Sequence, residues 1–386
     1  MNRISRSIRR LVPMAVAALL LTGLLGGSAQ AKFGPGHQVN VMTRNLYLGA
    51  DLTPAIVAKN TSEFVQANGQ ILREVTANNF PVRAKGLAQE ILKKKPDLVG
   101  LQEVAMWRTG PPSLEPLLSP AGPTATAVRY DYMDELLDRL NKGKERYRVA
   151  VVQKEFDFEA PADENGVPND GPNGFIKDAE INGRLTMRDV ILVRLGAGVV
   201  TSHPQKGNFA NMLTVQLSGV EVKVLRGWTA IDAKVRGSKK LRFVNTHLEA
   251  FDDSSQVPSI RALQAGELVA KGGPATTSLP VVLVGDLNSD GTTVEGGDRQ
   301  AYQALVKAGM RERSTAKPPS CCIKSSLLAV GGGGSIADFD HHIDHVMTRD
   351  PKKVKLISSA VTGREPVSGF WDSDHAGVFS SLWLLR

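Results

Sequence analysis

The chain has 386 residues, of which 42% are hydrophobic and 22% charged, with a formal net charge of +8. That length holds one large α/β domain or two ordinary ones. The two cysteines, Cys321 and Cys322, are adjacent, which excludes a disulfide scaffold. With no Cys or His at close ligand spacing they also make a poor zinc site. A strained vicinal bond, pairing between chains and two ordinary loop thiols all stay open.

Residues 1–31 read as a secretory signal peptide. Arg3, Arg6, Arg9 and Arg10 form a basic start, Leu11 to Leu25 an apolar run, and Ala29-Gln30-Ala31 a small-residue cleavage site. The run is too short for an ordinary transmembrane helix. Leu-Val-Pro after Arg9-Arg10 matches a twin-arginine signal poorly, and no Cys follows for a lipoprotein anchor. These four arginines supply half of the formal excess, so 32–386 is only mildly basic, which permits a phosphate-bearing partner without demanding one. The expectation is an exported protein, cleaved after Ala31, with 32–386 as a single domain.

In chain order, the alternation in Val39 to Leu46 predicts a first strand ending at Asn45. Helices follow, one starting near Thr61-Ser62-Glu63 with apolar Phe64, Val65, Ile71, Leu72 and Val75, and one running from Pro81 through Leu92. Lys93-Lys94-Lys95 then complements a helix C-terminus. Pro96-Asp97 opens a second strand that ends near Glu103. Residues 109–124, with five prolines, read as a loop, and the polar, Gly- and Pro-rich 157–182 as a long insertion. A helix at Asp131 to Leu140 leads into a strand at Tyr147 to Gln153.

Strands dominate the middle: Thr186 to Arg194, a hairpin over Leu213 to Lys223, Thr229 to Val235 and Leu241 to His247. Helices at Ser259 to Lys271 and Arg299 to Ala308 flank the strand of Pro280 to Asp290. Three further strands, His342 to Met347, Lys355 to Val361 and Ala376 to Leu384, close the chain, after a Gly331 to Gly334 loop. No linker composition and no short repeat divides this stretch, so helices covering two packed sheets is the simplest architecture.

The stretch PVVLVGDLNSD organises the rest. Val281, Val282, Leu283 and Val284 form a strand buried on both faces, and Asp286 and Asn288 stand two residues apart at its end, on one side of an extended segment. Four other strand ends look the same: TRN at Thr43 to Asn45, LQEV at Leu101 to Val104, NTHLE at Asn245 to Glu249, and IDHV with SDH at Asp344 and Asp374-His375. Clustered buried carboxylates are costly unless a cation holds them. Asn45, Glu103, Asp286 and Asp374 therefore suggest a metal with oxygen ligands, Mg²⁺ or alternatively Mn²⁺ or Ca²⁺, rather than zinc.

These motifs, in this order from Val39 to Leu384, resemble the endonuclease/exonuclease/phosphatase superfamily of metal-dependent phosphoesterases, which includes deoxyribonucleases, abasic-site endonucleases, bacterial sphingomyelinases and inositol-polyphosphate phosphatases. The resemblance implies a four-layer α/β sandwich, two mixed β-sheets packed face to face with helices outside and the active site at one rim. It also implies that Asn45, Glu103 and Asp374 hold the metal, Glu103 as the principal ligand. His375 is then the catalytic histidine paired with Asp344, and His247 the second histidine of the deoxyribonuclease and sphingomyelinase branches. Asp286 holds or deprotonates the attacking water, and Asn288 donates to a phosphate oxygen; whether Asp286 or His375 is the general base stays open.

Other residues are read more plainly. His341, His342 and His345 are strand neighbours rather than a second metal site, and Arg188 with Asp189 a buried structural ion pair in preference to a contact with substrate phosphate. Glu145 resembles the acid that supports the second histidine in the deoxyribonuclease branch. The implied activity is hydrolysis of a phosphodiester in nucleic acid or a phospholipid head group, with no stable protein partner. Phe370-Trp371 is a candidate for peripheral membrane contact. The alternatives are an inositol-phosphate-type phosphomonoesterase or a catalytically silent binding protein on the same scaffold.

Overall fold

The computed structural model describes residues 32–386 except 119–121, 168–169, 172–175, 177, 218, 252–254, 292–297, 316, 332 and 351. The leader assigned to 1–31 lies outside the described residues. Strand β1 (Gly36–Asn45) is followed by helices α1 (Thr53–Ile56), α2 (Thr61–Ala77) and α3 (Phe80–Lys94). Next come β2 (Leu98–Gln102), β3 (Met106–Gly110), α4 (Glu115–Leu118), β4 (Ala127–Asp131) and α5 (Tyr132–Leu140). The middle is β5 (Tyr147–Ala162), β6 (Ile181–Arg194), β7 (Val199–Asn208), β8 (Leu213–Leu217), β9 (Val220–Val224), β10 (Gly227–Val235) and β11 (Leu241–His247). Then follow α6 (Ile260–Val269), β12 (Val281–Asp286), α7 (Gln300–Lys307), β13 (Arg311–Glu312), β14 (Asp344–Arg349), β15 (Val354–Thr362) and β16 (Gly377–Leu385).

Local chemistry explains the helix ends. Asn60 caps α2 by accepting from the Glu63 N–H at 3.0 Å, and Asp131 caps α5 by accepting from Met133 N–H at 3.0 Å. Pro81 sits in the first turn of α3, and Lys93 and Lys94 in its last turn, with Lys95 left-handed as the cap.

Two mixed sheets carry the architecture. One runs β15-β16-β1-β2-β6-β3-β4, with β5 also paired to β6; the other runs β13-β14-β12-β11-β10-β7. Period-two alternation sorts their side chains. Val282, Val284 and Phe243 of the second sheet pack on Val39, Val41 and Ile191 of the first. The intervening positions Val281, Leu283 and Val244 turn outward onto Leu268 of α6 and Leu305 of α7. On the far side, Met42, Val99 and Leu101 meet Phe64 and Leu87 of α2 and α3. Helix, sheet, sheet and helix make the four layers of the sandwich. Each fully buried aliphatic side chain in them contributes roughly 1.5–3 kcal/mol.

Two expectations change and one strand is added. Residues 157–182 are not all insertion, because β5 runs on to Ala162 and pairs with β6 from Ile181 through two register shifts. There Asp157 is held by Arg184 at 2.6 Å, so cross-strand pairing outweighs the turn-rich composition. The proline-rich stretch is bracketed by β3 and β4, which pair with each other, and includes α4. Strand β7, whose pattern is too polar to read, adds to the edge of the second sheet against β10.

Arg188 and Asp189 are not an ion pair with each other. As neighbours in β6 they point to opposite faces, and Arg188 binds Asp131 at 2.6 Å instead. Trp371 is buried against Phe339 and donates its indole N–H to the Gly334 carbonyl at 2.8 Å, so it packs rather than projects. Among the described residues no helix is long and apolar enough to cross a membrane.

Candidate active site

The inward face of each sheet ends in polar residues at the same rim. In the second sheet β11, β12 and β14 are neighbours, and their register sets His247 opposite Asp286 and Asp286 opposite Asp344. In the first sheet β16, β1 and β2 are neighbours, so the ends of β1 and β2 bring up Asn45 and Glu103, and the approach to β16 brings Asp374 and His375. Asn45 continues the inward series Val39, Val41, Thr43, and Asp286 the series Val282, Val284. The aliphatic positions that glue the sheets together thus give way to the polar positions of the site.

The strand exits are sharply shaped. Tyr47, Glu103 and Asn288 all adopt left-handed backbone, with φ of 57°, 52° and 45°. Such conformations in non-glycine residues cost energy and persist where surrounding structure imposes them. Gly285 is required by close approach, since a Cβ there would stand 2.1 Å from the Thr246 carbonyl oxygen.

His375 Nδ1 lies 2.9 Å from Asp344 Oδ2, which also accepts from Ser320 Oγ at 2.8 Å. The other ring nitrogen, Nε2, is 3.5 Å from Asp286 Oδ2 and 4.0 Å from Asp374 Oδ1. Burial opposes charge on this ring, but Asp344, Asp286 and Asp374 together hold it well above the usual histidine range. His247 is the opposite case. Burial, the Arg226 guanidinium and the charge on His375 push it well below that range. Arg226 Nη1 is 3.2 Å from His247 Nδ1. Both ring nitrogens therefore face donor groups, the guanidinium at Nδ1 and the Asn288 amide at Nε2, while Nε2 also lies 3.5 Å from Asp286 Oδ2.

Asn45 braces two carboxylates, donating from Nδ2 to Glu103 Oε1 at 3.2 Å and to Asp286 Oδ2 at 3.0 Å, while its Oδ1 accepts from Tyr47 N–H at 2.8 Å. Glu103 Oε2 accepts from the Leu48 N–H at 2.7 Å. Asn288 Nδ2 donates to the Leu248 carbonyl at 3.0 Å and lies 3.2 Å from His247 Nε2. Burial lifts the Asp374 carboxyl to about 7, with His375 opposing and Glu103 adding to the rise; burial lifts Asp286 to about 6. Carboxylates crowded enough to raise one another are the environment a divalent cation relieves, and Glu103 and Asp374 offer hard carboxylate oxygens that fit Mg²⁺ better than a soft metal, while Asn45 faces Glu103 with its amide Nδ2.

The structure thus brings Asn45, Glu103, His247, Asp286, Asn288, Asp344, Asp374 and His375 to one rim. Glu145 is not among them: it is exposed ahead of β5, and the group on His247 is Arg226. Of the other histidines, His341 pairs with exposed Asp340. His342 and His345 stack edge to face, and His345 Nδ1 meets Glu312 at 2.6 Å.

Several residues at the site escape sequence reading. Arg226 is enclosed with Glu249, Glu155 and Asp189; burial pushes Glu155 to about 8 and Asp189 well above the carboxylate range. Arg83 donates to the carbonyls of Leu46 at 2.7 Å, Tyr47 at 3.1 Å and Asp372 at 2.9 Å, tying the loop after Asn45 to the one before Asp374. Arg44 is held by Glu90 at 3.0 Å and donates to the His375 carbonyl. Nothing local marks these arginines, because their partners come from distant segments.

Beside the rim opens a cavity of about 640 Å³. Its walls include Leu72, Phe156, Leu185 and Val222, and it reaches Glu103, Asp374 and Arg226.

The model of the Endonuclease/Exonuclease/phosphatase family matches residues 65–375. No curated protein matches the sequence significantly. Among solved structures, the chain is similar to an endonuclease/exonuclease/phosphatase family protein from Bacteroides thetaiotaomicron, at 14% identity and TM-score 0.51 over 91% of this chain and 99% of that one. It is also similar to an endonuclease/exonuclease/phosphatase from Beutenbergia cavernae, at 17% identity and TM-score 0.50 over 90% and 72%. A humanized D. rerio TDP2 aligns at 17% identity and TM-score 0.48 over 89% and 98%.

Proposed function

Because the chain belongs to the endonuclease/exonuclease/phosphatase family, we propose that it is an exported, divalent-metal-dependent hydrolase that cleaves a phosphodiester by attack of water. The observation that carries this reading is the meeting of two buried imidazoles of opposite character, His375 and His247, each with Nε2 3.5 Å from the same oxygen of Asp286.

Glu103, Asp374 and Asn45 are the residues to hold the cation, which when bound supplies charge stabilisation to the phosphate oxygens. Asp286, between the two imidazoles, orients the attacking water and takes its proton. His375, kept cationic by Asp344, stabilises the negative charge that accumulates on oxygen. His247, held neutral by burial and Arg226, and Asn288 beside it address a phosphate oxygen. No covalent enzyme intermediate is needed.

The apolar cavity reaching Glu103 and Asp374 supports a substrate with a hydrocarbon arm next to its phosphate, in the manner of a phospholipid cleaved at the head group. Export rests on the leader composition of residues 1–31.

The test uses protein lacking 1–31, with Mg²⁺ or Mn²⁺, on bis(p-nitrophenyl) phosphate, sphingomyelin micelles and plasmid DNA, beside His375→Ala. Metal-dependent cleavage that the variant loses is the expected result, and equal background from both proteins removes the hydrolase. Cleavage of DNA with none of the lipid removes the hydrocarbon arm and leaves the chemistry.

A further inference from the structure

Cys321 and Cys322, joined to each other, lie against the reacting side of His375. Their sulfurs are 3.7 and 3.9 Å from His375 Nε2, and the three residues offer ligand atoms all within 4.8 Å of one another. We propose that reduction of this bond opens a second metal site, in which the Cys321 and Cys322 thiolates and His375 Nε2 capture one thiophilic cation such as Zn²⁺ or Cd²⁺ and take the histidine out of the reaction.

The distances fit. Zinc bonds of about 2.3 Å to sulfur and about 2.0–2.1 Å to nitrogen, at a tetrahedral angle, put the ligand atoms about 3.6 Å apart. The second shell is also in place, since the other nitrogen of His375 already meets the Asp344 carboxylate at 2.9 Å, the arrangement that orients metal-binding histidines. Asp374 Oδ1, 4.0 Å from Nε2, or a water completes the set. Two sulfurs and an imidazole select a soft or borderline cation, whereas the oxygens of Glu103 and Asp374 suit Mg²⁺, so the two sites prefer different metals and share at most Asp374.

Main-chain hydrogen bonds hold the thiols in position independently of their covalent link. Ile323 N–H donates to the Asp374 carbonyl at 2.8 Å, and Ala376 N–H donates to the Ser320 carbonyl at 2.7 Å, so the cysteine segment is stitched to the His375 segment on both sides. On the other flank Cys321 N–H donates to the His341 carbonyl at 3.0 Å. Cys321 is buried and Cys322 exposed, which leaves one sulfur open to a reductant.

In the reductive step a small dithiol gives two electrons and two protons; the Cys321–Cys322 bond breaks into two thiols and the reductant closes into its own disulfide. On binding, the cation displaces both thiol protons and any proton on Nε2. Loss of hydrolysis rests on the function proposed above; capture of the cation does not.

The experiment titrates Cd²⁺ into dithiol-reduced, desalted protein under argon and reads the ultraviolet thiolate-to-cadmium charge-transfer band. Oxidised protein, Cys321→Ser/Cys322→Ser and His375→Ala are titrated alongside. The expected result is a band saturating at one Cd²⁺ per reduced chain, absent from the oxidised protein and the double variant, and about tenfold or more weaker in affinity in His375→Ala. If the double variant does not fold by circular dichroism, Cys322→Ser alone takes its place and is expected to lose the one-to-one band. No band in the reduced protein, or unchanged affinity in His375→Ala, overturns the site. In the parallel assay micromolar Zn²⁺ abolishes hydrolysis by reduced protein, chelator restores it, and the serine variant hydrolyses with or without Zn²⁺; a serine variant as Zn²⁺-sensitive as the reduced protein overturns the inhibitory role. Were the protein to hydrolyse nothing, the cadmium band would still decide the site.

Discussion

Asp344 and His375 stand 31 positions apart in sequence yet share a 2.9 Å contact between Oδ2 and Nδ1, while the other nitrogen of the same ring faces Asp286. The carboxylate fixes one tautomer and favours the charged ring. Asp344→Asn keeps the shape and removes the charge. It is expected to lower kcat by about 10²–10⁴-fold with KM little changed, and to bring the His375 titration, followed by NMR, down toward the ordinary histidine range. A variant with wild-type kcat and an unmoved titration would show that the pair is not coupled.

Arg226 is the only residue seen to address His247 Nδ1 among the described residues. Arg226→Met removes that donor and one of the causes, after burial, that hold His247 neutral. The loss of a hydrogen bond from a charged group is expected to reduce kcat roughly 10- to 100-fold and to raise the His247 titration. Steady-state kinetics paired with NMR titration separates this from a general loss of folding, which would leave no resolved histidine signal to titrate.

On the function proposed above, metal binding at Glu103, Asp374 and Asn45 couples to stability. Free Mg²⁺ at a hundred times its dissociation constant stabilises the folded state by about 2.7 kcal/mol, seen as a rise in Tm of several degrees that EDTA reverses. Glu103→Gln is expected to lose most of that rise while keeping its own metal-free Tm within a few degrees of wild type. Equal Mg²⁺-dependent shifts in both proteins would move the metal elsewhere.

Glu312 and His345 predict an acid-side signature. Burial acts to raise the Glu312 carboxyl, but the charge and hydrogen bond of His345, with Ser314, depress it from 4.5 to about 2. A depressed carboxyl contributes stability that is complete above about 4.5 and lost as pH falls toward about 2. His345, raised by the same partner against its burial, contributes stability that is complete below 6.5 and lost as pH climbs through its raised value. Urea unfolding of wild type and Glu312→Gln should therefore differ most, by a few kcal/mol, between about pH 4.5 and 6.5, and the difference should narrow on both sides. A difference constant across pH 2–8 would dissociate the pair from stability.

Leu185, buried in β6, lines the cavity that reaches Glu103 and Asp374. Leu185→Trp reduces the space for a hydrocarbon arm without touching the imidazoles. The rate on sphingomyelin micelles is expected to fall about tenfold or more, the order of a few lost methylene contacts, while the rate on bis(p-nitrophenyl) phosphate holds. Parallel loss on both substrates would mean that the cavity serves the chemistry or the fold instead.

Where strands stop, and which residues stand there, is legible in the linear pattern. Runs such as Val281 to Val284 announce a strand buried on both faces, and the abrupt change to Gly285 and Asp286 marks the exit, because aliphatic alternation and turn chemistry are local signals. The helix beginnings at Asn60 and Asp131 were equally close to the surface of the text, within a residue or two of Thr61 and Asp131. Which exits share a rim is settled by folding alone, since the register of β11, β12 and β14 and the facing of two sheets depend on pairings over tens to hundreds of residues. The same holds for the Arg226 guanidinium on His247, the continuation of β5 through Asp157, and the placing of Cys321 and Cys322 on His375, which the sequence alone reads as a thiol pair with no histidine near it. Burial, charge and metal preference arise from neighbours in space, and a linear pattern carries no record of partners that only folding brings into contact.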